Sequence, residues 1–148
     1  MILSVPAKLK EIYEKGRKYP WPKSKGCPRC HGLRLWGHGY VVAYFDEIDG
    51  PLYLRRYRCP DCRCVVRLKP EGFWARFQAS IETIRSCIGH RLRTGCYLPC
   101  ISRTRQGHWL RALKRKACAY LGEITTLDLA HGFERLVEMG KVPVSRSI

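Results

Sequence analysis

The sequence predicts an α+β fold, in which a small three-stranded antiparallel sheet follows a short N-terminal helix and precedes a unit of three helices. Two Cys-x-x-Cys pairs, CPRC and CPDC, bracket segments that are rich in aromatic and β-branched residues, as strands are. From residue 73 onward, apolar residues instead recur every three or four positions, as in amphipathic helices. The predicted divisions are a lead-in at 1–26, a cysteine-rich unit at 27–69, a helical unit at 73–140 and a tail at 141–148.

The lead-in contains one predicted helix, residues 6–16, which begins at a proline and ends at Gly16. Its apolar residues Leu9, Ile12 and Tyr13 share one face. A basic segment broken by prolines follows, and we expect it to be extended up to the first cysteine pair.

The strands of the cysteine-rich unit are predicted from three runs. LRLWGHGYVVAYF and LYLRRYR flank the turn-forming cluster DEIDGP and indicate an antiparallel hairpin, and CVVRL at 64–68 is a third strand. Two cysteine knuckles that hold a three-stranded sheet make up the arrangement of a zinc ribbon. Cys64 begins the third strand, and we favour a strand residue there over a replacement for Cys62 as a ligand.

The two cysteine pairs are the most specific signal in the chain. Four thiolates on one zinc ion form a closed structural site without an open position for water or substrate. The same four cysteines also suit a rubredoxin-like iron site, and a redox dithiol is a further alternative. His31 and His38 lie near the first pair and are weaker candidate ligands. The predicted zinc ligands are Cys27, Cys30, Cys59 and Cys62.

The remaining cysteines favour an interior role. Cys87, Cys96, Cys100 and Cys118 lack the knuckle spacing, and a free cysteine is commonly a small buried apolar residue. The odd count of nine, together with an N-terminus that lacks the apolar core of a signal peptide, favours a reducing cytoplasm over secretion. No run approaches the roughly 18 apolar residues of a membrane span, so we expect no membrane partner.

Three helices are predicted after residue 73. The first covers the run FWARFQASIETIRSCIGHRLRTG and ends at Gly95; the second begins at the N-cap Ser102 and ends at Gly122; the third begins at Thr125 or Thr126 and ends at Gly140. Their predicted inward residues are Phe77, Ile81, Ile84, Ile88 and Leu92 in the first, Leu110, Leu113, Ala117 and Leu121 in the second, and Leu129, Phe133, Leu136 and Val137 in the third. We expect the tail to be loose.

The charge of the chain predicts a polyanionic partner, with nucleic acid first. There are 28 basic and 12 acidic side chains, a net charge of +16, and residues 96–122 contain six basic groups and no acid. Arginine and glutamine near a helix start can bind base edges, and arginines beside the CPDC motif can bind phosphates. The candidate nucleic-acid contacts are Arg55, Arg56, Arg58, Arg103, Thr104, Arg105, Gln106, His108, Arg111, Lys114 and Arg115. An ordinary solvated basic face is the alternative.

No motif for catalysis is present in these residues. The sequence lacks a glycine-rich phosphate loop, a GxSxG elbow and an HExxH pair, and its acids do not form a set for phosphoryl transfer. Asp46, Glu47 and Asp49 fall in the predicted hairpin turn, where acids are common. We therefore expect a binding protein and not an enzyme.

The order of CPRC, RRYRCPDC and SRTRQGHWLRALKR resembles the N-terminal DNA-binding region of bacterial insertion-sequence transposases, over about residues 20–120. This resemblance implies a zinc ribbon followed by a helix-turn-helix that binds double-stranded DNA at the ends of a mobile element. The three-acid catalytic domain of such transposases is not found in these residues. A free-standing binding protein, an accessory subunit and a remnant of a decayed element are the alternatives, and a transposase is a candidate partner protein. CYLPCI, before the second helix, also departs from a standard helix-turn-helix.

Two other functions suit the same sequence. An RNA-binding or ribosome-associated ribbon protein would stack bases on sheet aromatics, for which Trp36, Tyr40, Tyr44 and Tyr57 are the candidates. A protein-interaction adaptor would use the ribbon and the last helix to bind a polypeptide. Competition between duplex DNA and structured RNA distinguishes the first two functions.

Overall fold

The computed structural model describes residues 1–122 and 129–146 and confirms a mixed α+β protein. The chain divides into two compact units, which we call unit 1 (Met1–Ala79) and unit 2 (Ser80–Ile148). Unit 1 contains a four-stranded sheet and a short helix, and unit 2 contains three helices within its described residues. No helix in the described ranges combines the length and the apolar character that crossing a bilayer requires.

The sheet of unit 1 is built around the predicted hairpin. Strand β2 (Trp36–Ala43) pairs antiparallel with β3 (Leu52–Arg58), and β3 pairs antiparallel with β4 (Val65–Pro70). An irregularity in the register between Gly37 and Tyr40 interrupts the first of these pairings.

The predicted strand count of three is wrong, because the sheet has four strands in the order β1-β4-β3-β2. The additional strand, β1 (Ile2–Val5), pairs in parallel with β4, so that Ile2 lies opposite Arg67. Four residues are too few for a strand pattern to be recognised, and the parallel partner lies far away in the sequence.

The helix of the lead-in, α1 (Leu9–Lys15), is shorter than the predicted 6–16 and ends at Gly16, where φ is +53°. Ile12 is fully buried, whereas Tyr13 is 48% exposed and donates a hydrogen bond from its hydroxyl to the carbonyl oxygen of Asp49. A core cluster in unit 1 joins the helix to the sheet and consists of Ile12, Phe45, Leu52, Leu54 and Phe73.

The segment that follows β4 is irregular, although the sequence predicts that a helix begins at residue 73. Lys69 on β4 is 5% exposed, and its Nζ donates to the carbonyl oxygens of Trp74 (2.6 Å) and Phe77 (2.8 Å). The Trp74 carbonyl oxygen also accepts the backbone N–H of Phe77 in a single turn (3.1 Å), so both carbonyl groups are satisfied without an α-helix. Helix α2 (Ile81–Thr94) begins only after Ser80, whose hydroxyl accepts a hydrogen bond from the backbone N–H of Thr83.

The ends of the next helix agree with the sequence. Helix α3 (Arg103–Leu121) follows the N-cap Ser102, whose hydroxyl accepts from the backbone N–H of Arg105, and ends at Gly122. The third helix, α4 (Leu129–Glu138), is described from Leu129 onward, so its predicted caps Thr125 and Thr126 lie outside the described residues.

The core of unit 2 lies among its three helices, each of which contacts the other two. Its largest buried side chains are Trp109 and Phe133, together with Ile84, Leu113, Leu136 and Val144. The burial of Pro143 and Val144 shows that the tail is packed as far as residue 144, whereas the sequence predicts a loose segment. Lys116 on α3 holds the tail in place, since its Nζ donates to the carbonyl oxygens of Val142 (2.6 Å) and Val144 (2.9 Å).

Candidate metal centre and nucleic-acid interface

The two cysteine knuckles have matching backbone geometry. In the first, the backbone N–H of Cys27 donates to the carbonyl oxygen of Gly32, and in the second the N–H of Cys59 donates to that of Cys64. The residue directly after each pair has a left-handed backbone conformation: His31 has φ +59° and Arg63 has φ +60°. Such values are uncommon outside glycine, so the two knuckles share an unusual turn geometry.

The four cysteines predicted as ligands come together. Their sulfur atoms all lie within 4.8 Å of one another, with 3.5 Å between Cys27 and Cys62 and 3.6 Å between Cys30 and Cys59. These separations exceed the roughly 2.05 Å of a disulfide bond, and all nine cysteines are free. A tetrahedron of Zn–S bonds of about 2.3 Å has sulfur–sulfur edges of about 3.8 Å. The site therefore has the size of a four-thiolate metal centre, and its residues fit zinc.

The sulfurs differ in their surroundings. Cys27 and Cys59 are buried in a second core cluster of unit 1, with Leu35, Tyr57 and Leu68, whereas Cys30 is exposed. The backbone N–H groups of Cys30 and Arg29 lower the pKa of the Cys27 thiol to about 6.

Protons and a metal ion would compete for these sulfurs. The pKa of Cys62 is raised to about 12, because desolvation and the neighbouring thiols outweigh the lowering effect of the Cys64 backbone N–H. A bound metal ion displaces such protons, since thiolates are its ligands.

An ion pair joins the two knuckles, and the sequence analysis missed it. Arg34 Nη2 lies 2.8 Å from Asp61 Oδ1, and the other carboxylate oxygen is 4.0 Å from the sulfur of Cys59. Gly32 leaves room for this carboxylate, since a Cβ there would lie 2.6 Å from Asp61 Oδ2. The acid inside CPDC and the arginine after CPRC were visible in the sequence, but only their proximity in the fold assigns them this role.

The other candidate ligands lie outside the four-sulfur group. Cys64 directly precedes β4, as the sequence predicts approximately, and its sulfur is not among the four. His31 and His38 are also not members. Across residues 1–122 and 129–146, no second set of three or more histidine, cysteine or acidic side chains is arranged to hold a metal.

The three arginines beside CPDC do not form a single cluster. Successive side chains of a strand point to opposite faces of the sheet. Arg55 on β3 therefore faces one side, while Arg56 and Arg58 face the other. The guanidinium of Arg55 lies over the rings of Tyr40 (4.8 Å) and Tyr57 (5.5 Å). Arg58 is exposed and Arg56 is half-buried, so a joint clamp by all three on one phosphate run does not fit this geometry.

Helix α3 presents most of its predicted contacts to solvent. Arg103, Thr104, Arg111, Lys114 and Arg115 are exposed, whereas Arg105 and His108 are half-buried. Thr104, Arg111 and Arg115 are spaced seven and four residues apart and therefore share one face of the helix. Arg105 lies over the ring of the buried Trp109, at 5.0 Å from its centroid.

The prediction that Gln106 contacts nucleic acid is wrong, because its side chain is buried. It is 3% exposed, and its Nε2 donates to the carbonyl oxygens of Leu98 (2.7 Å) and Ile101 (2.6 Å). Its Oε1 accepts from the backbone N–H of Leu98. The side chain thus holds the connector before α3 and is not accessible to a nucleic-acid base.

That connector, residues 95–102, is longer than the three or four residues that join the helices of a standard helix-turn-helix. The hydrogen bonds from Gln106 account for its ordered path. The three-helix unit is present, and its helix-turn-helix-like character stays a prediction.

Comparison with known proteins gives no match: no family model, curated protein or solved structure is significantly similar to the chain. The functional assignment therefore depends on the residues themselves.

Proposed function

We propose that the chain is a zinc-dependent nucleic-acid-binding protein that prefers double-stranded DNA. The observation that carries the proposal is the solvent-exposed basic face of α3, with Arg111, Lys114 and Arg115, in a stretch from 96 to 122 that contains no acid. An ordinary surface helix mixes charges of both signs. A helix face with only positive charges attracts the phosphates of a duplex, and an α-helix fits the major groove.

In this proposal, Cys27, Cys30, Cys59 and Cys62 hold the zinc ion, whose role is structural. With four protein ligands, no coordination position is left for a substrate, so the ion organises the ribbon and takes no part in a reaction. The resemblance to the DNA-binding region of insertion-sequence transposases supports DNA as the ligand and a role beside a mobile element. The proposal includes no catalytic residue.

The test compares two variants of equal charge on a set of 20-base-pair duplexes, by fluorescence anisotropy with the zinc-loaded protein. Arg111→Gln/Arg115→Gln removes two exposed charges from α3, and Lys10→Gln/Lys18→Gln removes two exposed charges from unit 1. We expect the first variant to lower the slope of log K against log salt by about 1.8, and the control to leave it nearly unchanged. Equal losses in both variants would contradict a defined interface.

Sequence preference is tested separately at the exposed start of α3. Arg103→Ala should reduce discrimination between duplexes by about 1–3 kcal/mol if this side chain forms a bidentate contact with a base. A uniform loss on every duplex would restrict Arg103 to phosphate binding.

RNA binding is the second candidate because two aromatic side chains are exposed in or beside β2. Trp36 is 61% exposed and Tyr44 is 59% exposed, and both could stack on unpaired bases. The two other predicted stacking residues are engaged, since Tyr57 is 8% exposed and the hydroxyl of Tyr40 donates to the carbonyl oxygen of Arg17. Competition at fixed salt decides: displacement of duplex DNA by a structured RNA at lower concentration would favour this candidate.

A further inference from the structure

A groove in unit 1 has a lining that the candidate interface does not explain. It encloses about 540 Å³, a volume within the range of small-ligand sites. Its lining is mixed: Ile2, Val41 and Val65 contribute apolar side chains, and its charged side chains are arginines. We call it the arginine groove; its arginines are Arg56 on β3, Arg67 on β4 and Arg76 in the segment after β4.

Within the described part of the chain, no carboxylate neutralises these arginines. The residues that line the groove include no aspartate or glutamate. Among the ion pairs formed within residues 1–122 and 129–146, none involves Arg56, Arg67 or Arg76. The groove therefore concentrates three positive charges in a concave, partly desolvated surface, where their attraction for an anion is stronger than at a flat surface.

The arrangement is unfavourable without an anion. Arg56 and Arg67 are direct partners across the antiparallel β3–β4 pair, and like charges in such positions destabilise a sheet. The Nε of Arg56 is buried and has no hydrogen-bond partner among the described residues. Arg76 has φ +68°, a left-handed value that disfavours residues with a side chain. An anion would relieve the repulsion between the two guanidinium groups.

A smaller cavity of about 240 Å³ continues the groove and shares Ile2, Arg67 and Arg76 with it. It adds the exposed Tyr44, the half-buried Phe77 and the ammonium-bearing Lys69 to the lining. The combined surface thus places aromatic rings beside guanidinium groups, which is the composition of sites that hold the backbone and bases of a nucleic-acid strand.

We propose that the arginine groove binds phosphate groups of a nucleic-acid strand, as a contact separate from helix α3. This inference rests on the proposed function and extends it to unit 1. Arg58 lies two residues beyond Arg56 on the same side of β3, so the strand would continue past the groove along that side of the sheet. Guanidinium groups bind phosphate through paired N–H donors, which lysine cannot provide.

The test uses the full zinc-loaded chain and the variant Arg67→Gln/Arg76→Gln, with Lys10→Gln/Lys18→Gln as a control of equal charge. Binding to a 20-nucleotide single strand and to a 20-base-pair duplex is measured by anisotropy from 50 to 300 mM salt. Two lost phosphate contacts should lower the slope of log K against log salt by about 1.4 for the single strand or 1.8 for the duplex, which is roughly a 20- to 60-fold weaker affinity at 0.1 M salt. A second arm titrates inorganic pyrophosphate and follows the backbone amides of residues 56, 67 and 76 by NMR.

The outcomes separate this inference from the proposed function. Full affinity in the groove variant, with a loss in Arg111→Gln/Arg115→Gln, would overturn the groove contact and leave the role of α3 intact. Saturable pyrophosphate binding without any change in nucleic-acid affinity would make the groove a site for free phosphates, which also overturns the inference. No binding of the wild-type chain to either nucleic acid would contradict both proposals. Retained metal content and circular dichroism in each variant exclude misfolding as the cause.

Discussion

Units 1 and 2 bury apolar surface in different ways. Unit 1 has two small clusters of five buried residues each, and one of them contains the sulfur-bearing Cys27 and Cys59. Unit 2 has large fully buried side chains, such as Trp109 and Phe133, packed among three helices. Small cores give little stability. We therefore expect unit 1, and not unit 2, to depend on a metal ion for its stability.

The units also use their basic residues differently. In unit 1, Lys69 is buried and Arg55 is stacked on tyrosines, so these cations serve the fold. In unit 2, Lys116 has the same kind of role, whereas Arg111 and Arg115 remain exposed. The position of a basic residue in the fold, and not the net charge, therefore identifies the residues available to a partner.

The largest expected effect comes from removing one ligand. Cys59→Ser should abolish stoichiometric zinc binding and unfold unit 1, because metal binding to such sites contributes on the order of 10 kcal/mol to folding. Unit 2, which has its own core, should keep its helical signals. Metal analysis and a two-dimensional NMR spectrum measure both effects.

Cys64→Ser is the matched control for that experiment, since its sulfur lies outside the four-sulfur group. It should retain one zinc ion and a native spectrum. Loss of metal in the Cys64 variant together with its retention in the Cys59 variant would reassign the ligand.

A core substitution in unit 2 should act on that unit alone. Trp109 is fully buried, so Trp109→Ala should lower the free energy of unfolding of unit 2 by about 3–5 kcal/mol and leave the zinc content unchanged. Tyr120→Ala on the same helix, where the side chain is 51% exposed, should cost less than about 1 kcal/mol. Denaturant titration followed by far-ultraviolet circular dichroism checks both values. Loss of zinc in the Trp109 variant would show that the two units do not fold independently.

The smallest expected effect concerns the pH dependence of unit 1. Burial, with a further contribution from Arg67, lowers the pKa of Lys69 from 10.5 to about 8. Between these values the folded chain binds fewer protons at this site than the unfolded chain, so the free energy of unfolding should rise with pH from about 8 to 10.5. The rise should not exceed about 3 kcal/mol. Below about pH 8, Lys69 is protonated in both the folded and the unfolded chain, so it adds no pH dependence there.

Side-chain NMR of lysine Nζ measures this titration directly. The Lys69 signal should titrate near pH 8 in the wild-type chain and at a higher pH in Arg67→Gln, because that substitution removes a nearby positive charge. An unshifted midpoint in the wild type would refute the buried environment of Lys69.

The elements that the sequence predicted well have local signals. Ser102 caps the start of α3 with its hydroxyl, and Gly122 ends the helix. The repeated Cys-x-x-Cys spacing likewise identifies the four cysteines that come together. Such features depend only on residues that are close in the sequence, so the sequence alone predicts them.

The elements that the sequence analysis missed depend on contacts between distant residues. Strand β1 exists through pairing with β4, and the irregular segment after β4 exists through hydrogen bonds from Lys69. Gln106 shows the same limit at the candidate site: its position near a helix start suggested base recognition, but its amide holds the connector before α3. The arginine groove likewise follows from cross-strand register.

The coordination shell of the metal is the most direct test of the central claim that four cysteine sulfurs organise unit 1. X-ray absorption at the zinc edge, on protein purified under reducing conditions and shown to bind one ion per chain, reports the number and type of ligands. We expect four sulfur atoms at about 2.3 Å. A shell that contains nitrogen or oxygen in place of a sulfur, or a folded chain that binds no metal, would contradict the claim.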